Sequence, residues 1–181
     1  DNGTTVSIGS SNATSKFHVG GRIGQNFGAG SQLNMAIGND AGNSNTTGSY
    51  NMFFGINSGI ANTSGSDNLF IGKSAGDHNT TGSSNLFLGT NAGSANTTAN
   101  HNLFMWYDAG LSNTTGAFNL FLGNFAGDAN TTATDNICIG YNSGGATTTG
   151  DKNVFLGSRA GLTNSSGYEN VLVGYEAGKN S

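Results

Sequence analysis

The chain has 181 residues, of which 31 are Gly, none is Pro and one is Cys, with 9% charged residues and a net charge of −4 at pH 7. The glycine residues lack the three-residue period and the Pro of collagen, and the low charge excludes a highly charged disordered tail. Six Lys and Arg against ten Asp and Glu leave no basic surface for nucleic acid or an anionic membrane. No apolar run reaches the roughly 18 residues of a membrane-spanning helix. The length of the chain indicates a single domain or part of a longer protein.

Residues 1–33 are predicted to form a first unit of two short strands and a connector. Residues 6–9 and 16–19 alternate in the manner of strands, and a polar turn separates them. Residues 20–33 are rich in Gly and are interpreted as a connector that leads into the rest of the chain.

From residue 34 onward, a 17-residue motif occurs nine times without insertions or deletions, and the ninth copy ends early at Ser181. It consists of Asn, three apolar residues, Gly, two variable residues, a small residue with Gly, two variable residues, Asn-Thr-Thr-Gly and two more variable residues. We number the positions of each repeat from 1, the leading Asn, to 17. The leading residues are Asn34, Asn51, Asn68, Asn85, Asn102, Asn119, Asn136, Asn153 and Asn170.

Each repeat predicts one coil of a parallel β-solenoid. The apolar triplet is too short for a helix and is typical of a strand, and Asn-Thr-Thr is a second candidate strand. Gly residues follow the triplet and the small residue, where a reversing chain needs positive φ or close backbone approach (Gly55, Gly72, Gly89, Gly123; Gly59, Gly76, Gly93, Gly127). Nine coils stacked at about 4.8 Å would give an all-β rod on the order of 40 Å long. The absence of Pro suits such a stack, because every coil needs its ladder donors.

Both faces of the triplet are apolar, so the sequence leaves two interpretations of which face is internal. If the aliphatic residues at positions 2 and 4 fill the coil, the Phe column at position 3 faces outward and forms an oligomer interface, with three-fold association as the simplest closed arrangement. If Phe fills the coil, the aliphatic residues cover a neighbouring chain, and the same oligomer is expected. The first interpretation assigns the interface to Phe53, Phe70, Phe87, Phe104, Phe121, Cys138 and Phe155, with Cys138 as a buried small residue in a Phe position.

Two sets of residues carry a resemblance to known fibre proteins: Leu69-Phe70-Ile71-Gly72 and Asn79-Thr80-Thr81-Gly82. Residues 34–181, about four fifths of the chain, resemble the β-roll heads of YadA-type trimeric autotransporter adhesins. They look even closer to the Asn-Thr-Thr-Gly repeats of bacterial and phage fibre proteins that end in a self-cleaving chaperone. Residues 6–19 are similar to a second stretch of those fibre proteins, with Ala13 where that pattern often has Pro. The resemblance implies an obligate homotrimer of left-handed parallel β-solenoids, intertwined or side by side.

The Asn-Thr-Thr segments are also N-glycosylation sequons, and two interpretations of the role of their asparagines stay open. Stacked Asn and Thr side chains can hydrogen-bond to their copies above and below and close the turn, a ladder that would tolerate the Thr147 found in one repeat. Alternatively, a row of glycans follows one edge of the rod. The sequon residues within the repeats are Asn45, Asn62, Asn79, Asn96, Asn113, Asn130 and Asn164, and Asn2 and Asn12 begin two more.

The fifth repeat departs from the pattern, since Trp106 replaces the Gly after its triplet and Tyr107 follows. Clustered exposed aromatic residues stack on sugars or anchor partner proteins, whereas the alternative is lateral packing between subunits. Candidate recognition residues are Trp106, Tyr107, Tyr141 and Tyr175, and further aromatic residues occupy loop positions at Tyr50, Phe118, Phe125 and Tyr168.

No catalytic, cofactor or metal constellation is predicted. His18, His78 and His101 lack companion ligands at metal spacing, and carboxylates occur singly at variable positions. Gly28-Ala29-Gly30 lacks the strand and helix of a phosphate loop.

We therefore expect a non-enzymatic structural segment, shaft or head, of an extracellular trimeric fibre at a cell surface or virion, with an adhesive role. Its partners would be copies of itself and a glycan or protein receptor, without nucleic acid, cofactor or membrane insertion. One alternative is a carbohydrate-recognising phage-type tail fibre. The other is a polysaccharide-acting β-helix enzyme, which would need clustered carboxylates or a basic groove.

Overall fold

The computed structural model describes residues 33–179, so the strands predicted within residues 1–32, and the sequons and His18 there, lie outside the described part. Each repeat contributes one strand of three residues at positions 2 to 4. The strands are β1 (Met35–Ile37), β2 (Met52–Phe54), β3 (Leu69–Ile71), β4 (Leu86–Leu88), β5 (Leu103–Met105), β6 (Leu120–Leu122), β7 (Ile137–Ile139), β8 (Val154–Leu156) and β9 (Val171–Val173).

The nine strands form one parallel sheet in sequence order, and each residue pairs with the residue 17 positions later. Phe70, for example, pairs with Phe87, and Phe87 with Phe104. This arrangement confirms the predicted all-β solenoid of stacked 17-residue coils.

The second predicted strand is wrong. The Asn-Thr-Thr segments bond to the next coil, but two successive amides converge on one acceptor: the N–H groups of Thr80 and Thr81 donate to the carbonyl of Thr97 at 2.8 and 3.2 Å. In a parallel ladder, by contrast, alternate residues bond to the neighbouring strand. The segment is a bend whose backbone is satisfied by the coil above it.

The Phe column fills the inside of the coil, which corrects the interpretation that it faces outward. Phe70 is 0% exposed within the single chain, as are most of the other Phe residues at position 3, and Cys138 in the same column is buried as well. Successive rings stack nearly flat, with centroids 4.7 Å apart for Phe70 and Phe87 and 5.0 Å apart for Phe87 and Phe104. The interior is one ring thick, and the buried Ala or Ser at position 8 leaves room for that ring.

Two glycine positions explain why the coil can be this thin. Gly76, at position 9, has a φ of 56°, and a Cβ there would lie 2.6 Å from the ring of Phe70. Gly72, at position 5, has a φ of 139°, and a Cβ there would lie 2.6 Å from the carbonyl carbon of Gly89 in the next coil. The Phe ring in the core therefore leaves no room for a side chain at position 9, and the backbone of the next coil leaves none at position 5. Both φ values also favour Gly, as predicted for these turns.

Candidate assembly and recognition surfaces

The outer aliphatic face consists of the side chains at positions 2 and 4, which point away from the Phe column because side chains alternate along a strand. All 18 positions are apolar, and all are half-buried or exposed in the single chain. They are Met35, Ile37, Met52, Phe54, Leu69, Ile71, Leu86, Leu88, Leu103, Met105, Leu120, Leu122, Ile137, Ile139, Val154, Leu156, Val171 and Val173. A continuous apolar strip of this kind is the usual mark of an interaction surface.

A shallow groove of about 520 Å³ follows one margin of this face over coils 3 to 5. Its apolar wall is formed by Leu69, Leu86 and Leu103, and its opposite wall includes Ser84 and His101 at position 17. His101 stacks on Phe118, with ring centroids 4.9 Å apart. The groove belongs to the same surface as the outer aliphatic face.

The sequon asparagines at position 12 form a buried amide ladder, as the ladder interpretation predicts. The Nδ2 of Asn79 donates to the Oδ1 of Asn62 at 2.8 Å, and the Nδ2 of Asn96 donates to the Oδ1 of Asn79 at 2.8 Å. Each Thr hydroxyl at position 13 bonds to a backbone carbonyl of the next coil, for example Thr80 to Thr97 at 3.0 Å.

This ladder corrects the alternative of a glycan row. Glycosylation would attach a sugar to Nδ2, but the asparagine is buried at each regular position and its Nδ2 is engaged in two hydrogen bonds, or in one for Asn45 in the first coil, so the folded coil has no space for a sugar. The residues excluded on this ground are Asn45, Asn62, Asn79, Asn96, Asn113 and Asn130. Asn164 is half-buried, and glycosylation there stays a prediction.

The ladder changes partners where Thr147 interrupts it. The hydroxyl of Thr147 donates to the carbonyl of Asn164 at 2.8 Å, and the Oδ1 of Asn130 accepts the backbone N–H of Ala133 at 3.0 Å instead. The predicted tolerance of the ladder for Thr is confirmed, since both groups keep a partner.

The leading Asn at position 1 has a role that our sequence interpretation missed. The Nδ2 of Asn51 donates to the carbonyl of Gly65 in its own coil at 2.8 Å, and its Oδ1 accepts the backbone N–H of Asn68 in the next coil at 3.0 Å. This side chain closes its coil and ties it to the following one. Its presence in all nine repeats was the available signal.

Two of the four candidate recognition residues contact the same ring, and a third is next to one of them in the chain. Tyr107 and Tyr141 both contact Phe125 edge to face, with centroids 5.5 and 6.0 Å apart, and Trp106 precedes Tyr107 in the chain. We call Trp106, Tyr107, Phe125 and Tyr141 the aromatic ridge; it follows the rod over coils 5 to 7, beside the outer aliphatic face. The fourth candidate, Tyr175, is exposed in coil 9 and lies outside the ridge.

Trp106 occupies a backbone position that suits glycine. Its φ is 94°, whereas the eight glycines at the same position have φ between 125° and 144°. Directly above it, the N–H of Gly123 reaches the carbonyl of Met105 at 3.1 Å, compared with 2.7 to 2.8 Å for the other members of this column. The Trp side chain is nevertheless 60% exposed.

The ionisable side chains of the described residues are mostly separate from one another, apart from the ion-paired Arg159, Glu176 and Lys179 in the last two coils. Burial raises the pKa of the Cys138 thiol above its usual range, which agrees with the prediction of a buried, unreactive residue. Hydrogen bonds from Lys179 and Arg159 lower the pKa of Glu176. His78 contacts Asp77 at 3.0 Å. Within residues 33–179, no group of three or more His, Cys, Asp or Glu side chains is placed to hold a metal ion.

Comparisons with protein-family models, with curated proteins and with solved structures found no match. In the described residues, no helix is long and apolar enough to cross a membrane. The fold and its surfaces thus define the protein as a β-solenoid repeat protein.

Proposed function

We propose that this chain is a non-enzymatic structural segment of an extracellular trimeric fibre, a shaft or head with an adhesive role. The observation that supports the proposal best is the outer aliphatic face, which keeps 18 of 18 apolar side chains along the whole described rod. A sheet whose outer face meets only water would be expected to alternate apolar and polar residues.

The periodicity of this face favours another copy of the same chain as its partner. Its side chains recur once per coil, about every 4.8 Å. Only a surface with the same repeat can interdigitate with it over its full length, and a parallel copy has that repeat in every coil. The face contains no charge, so association requires no complementary charge on the partner.

A trimer is the proposed state because each chain presents one narrow apolar strip, and a closed three-fold ring directs three such strips toward a common axis. The resemblance of the repeats to trimeric fibre heads supports the same number. A passive role is supported by the ionisable side chains of the described coils, which are mostly separate from one another apart from the ion-paired Arg159, Glu176 and Lys179.

Light scattering of the purified chain tests this proposal. We expect a mass three times the chain's 18.3 kDa. The double variant Leu103→Lys/Leu120→Lys places two charges on the outer aliphatic face and should give the mass of one chain with an unchanged β circular dichroism spectrum.

The matched control is Thr115→Lys/Thr132→Lys, which adds the same charges to exposed positions of the same two coils. It should keep the trimer mass. A wild-type monomer would overturn the oligomer, a wild-type dimer would overturn the three-fold arrangement, and dissociation of the control would show that the face is not the determinant.

A further inference from the structure

We propose that the aromatic ridge binds an extended, neutral, linear oligosaccharide by stacking. This inference rests on the adhesive role proposed above and names a ligand class for it. It starts from Trp106, whose strained backbone and high exposure are not needed by the fold: the remaining eight coils use Gly at this position and form the same strand. Strain that the fold itself does not require is characteristic of functional sites.

The chemistry of the ridge suits a neutral polyol. Trp and Tyr offer an apolar ring together with a polar group at its edge. Around them, positions 5 to 7 of coils 4 to 7 carry Gly, Thr, Asn and one acid, Asp108. Asp108 is only 8% exposed and accepts a hydrogen bond from the Nδ2 of Asn91 at 2.9 Å. Arg159, in the coil after that of Tyr141, is partly exposed, but its guanidinium is paired with Glu176 at 3.1 Å, so the ridge presents no unpaired charge to a ligand.

The shape of the ridge suits an extended chain rather than a single sugar. Tyr107 and Tyr141 are separated by two coils, or about 10 Å along the rod. Phe125 lies between them and holds both rings by edge-to-face contacts, so the rings are ordered before a ligand arrives. A linear saccharide lying parallel to the rod can contact several of these rings at once.

The size of the ridge argues against a protein partner. A fully buried aromatic side chain covers about 150–250 Å², so four side chains that are already partly covered can add roughly 400 Å². A standard protein interface buries about 800 Å² on each partner. A second copy of the chain is a weaker alternative, because the ridge spans three coils while the outer aliphatic face spans all nine.

Trp106 is the only Trp in the chain, so its fluorescence reports on the ridge directly. We expect a saturable quenching or shift of its emission on titration with cellohexaose. Tyr141→Ala should weaken this binding about tenfold through the loss of one stacking contact, with the Trp106 signal retained. Tyr168→Ala removes another exposed aromatic residue, which lies outside the ridge, and should leave the affinity unchanged.

Trp106→Gly separates a functional role from a structural one. It should abolish cellohexaose binding measured by calorimetry and raise the thermal midpoint by several degrees, because Gly relieves the strain at this position. Unchanged light-scattering mass of this variant would show that binding was lost without loss of assembly. The proposal is overturned if cellohexaose leaves the emission of Trp106 unchanged, or if Trp106→Gly lowers the thermal midpoint or still binds cellohexaose. It is also overturned if the emission changes with protein concentration and not with cellohexaose, because the ridge would then be a contact surface for a second copy of the chain.

Discussion

Asn68 and Asn79 donate their side-chain amides to the same backbone oxygen, the carbonyl of Gly82, at 2.8 and 2.9 Å. Asn68 starts the strand of its coil, and Asn79 starts the bend on the far side of the same coil. The shared acceptor therefore joins the start of the strand to the bend within one 17-residue repeat. The same pairing recurs in the neighbouring coils, for instance Asn51 and Asn62 on Gly65 at 2.8 and 3.0 Å.

This shared acceptor predicts non-additive substitutions. Asn68→Ala or Asn79→Ala alone leaves the Gly82 carbonyl one donor, while the double variant leaves it without either amide in the interior. An unsatisfied buried polar group costs about 1–3 kcal/mol. We expect the free energy of unfolding, measured with urea, to fall in the double variant by about 1 kcal/mol more than the sum of the single effects.

The control for this cycle pairs Asn68→Ala with Asn130→Ala, whose amides end on different carbonyls in different coils. That pair should be additive. Additive losses for Asn68 and Asn79 as well would show that the two amides do not act on one acceptor.

The Phe column has a gap at Cys138 that can be filled. Cys138 pairs with Phe121 below and Phe155 above. Its coil has the small residues of a Phe-containing coil, since Ser143 at position 8 corresponds to Ser58 in the coil of Phe53. Cys138→Phe should join the two parts of the stack and raise the free energy of unfolding by about 1–3 kcal/mol, given about 0.5–1.5 kcal/mol for each new aromatic pair.

Cys138→Ala is the matched comparison and should lower the stability, because it enlarges the gap. Thermal melting of both variants checks this prediction. A lower midpoint for Cys138→Phe would mean that the coil at this height is too narrow for a ring.

Asp128 predicts a pH dependence. It lies at position 10 between Leu111 and Gly145, its Oδ1 is buried without a hydrogen-bond partner, and desolvation by burial raises its pKa above the usual value. A carboxyl group whose pKa is higher in the folded state stabilises the fold at pH values below its unfolded pKa of about 4. That contribution is lost as the pH rises through the folded pKa.

Asp128→Asn removes this titration. Its thermal midpoint relative to the wild type should increase as the pH is raised from 3 to 7, because only the wild type then buries a charge. A difference in midpoint between Asp128→Asn and the wild type that stays constant over this pH range would contradict the prediction.

The repeat length and the apolar triplets were enough to predict the parallel sheet, its register and its glycine turns, since a period of 17 without insertions allows only one stacking. The direction of the Phe column could not be read from alternation, because positions 2, 3 and 4 are all apolar. It is decided by space: Ala75 and Gly76 leave a slot that fits the Phe70 ring. The second strand was predicted from the β propensity of Thr80 and Thr81, but their amides share one acceptor and the chain bends there.

The aromatic ridge was visible in part. Trp106 was recognisable as a departure from the repeat, yet the strain at its φ and the contacts of Phe125 depend on the stacking of particular coils. Sequence spacing shows which residues share a column, and only the structure shows which columns are neighbours across the turn.

The 17-residue register also sets the dimensions of the molecule. Each strand pairs only with the strands one repeat before and after it, so no contact between strands depends on how many coils the rod contains. Removing or duplicating one whole repeat, such as residues 68–84, would therefore leave every remaining column intact and change the length by one step of about 4.8 Å. A single extra residue would instead turn the coil at that point and misalign the columns on either side. The length of the rod can thus vary only in whole coils. The distance of an exposed group such as the Trp106 ring from either end of the rod is therefore set by the number of repeats between them.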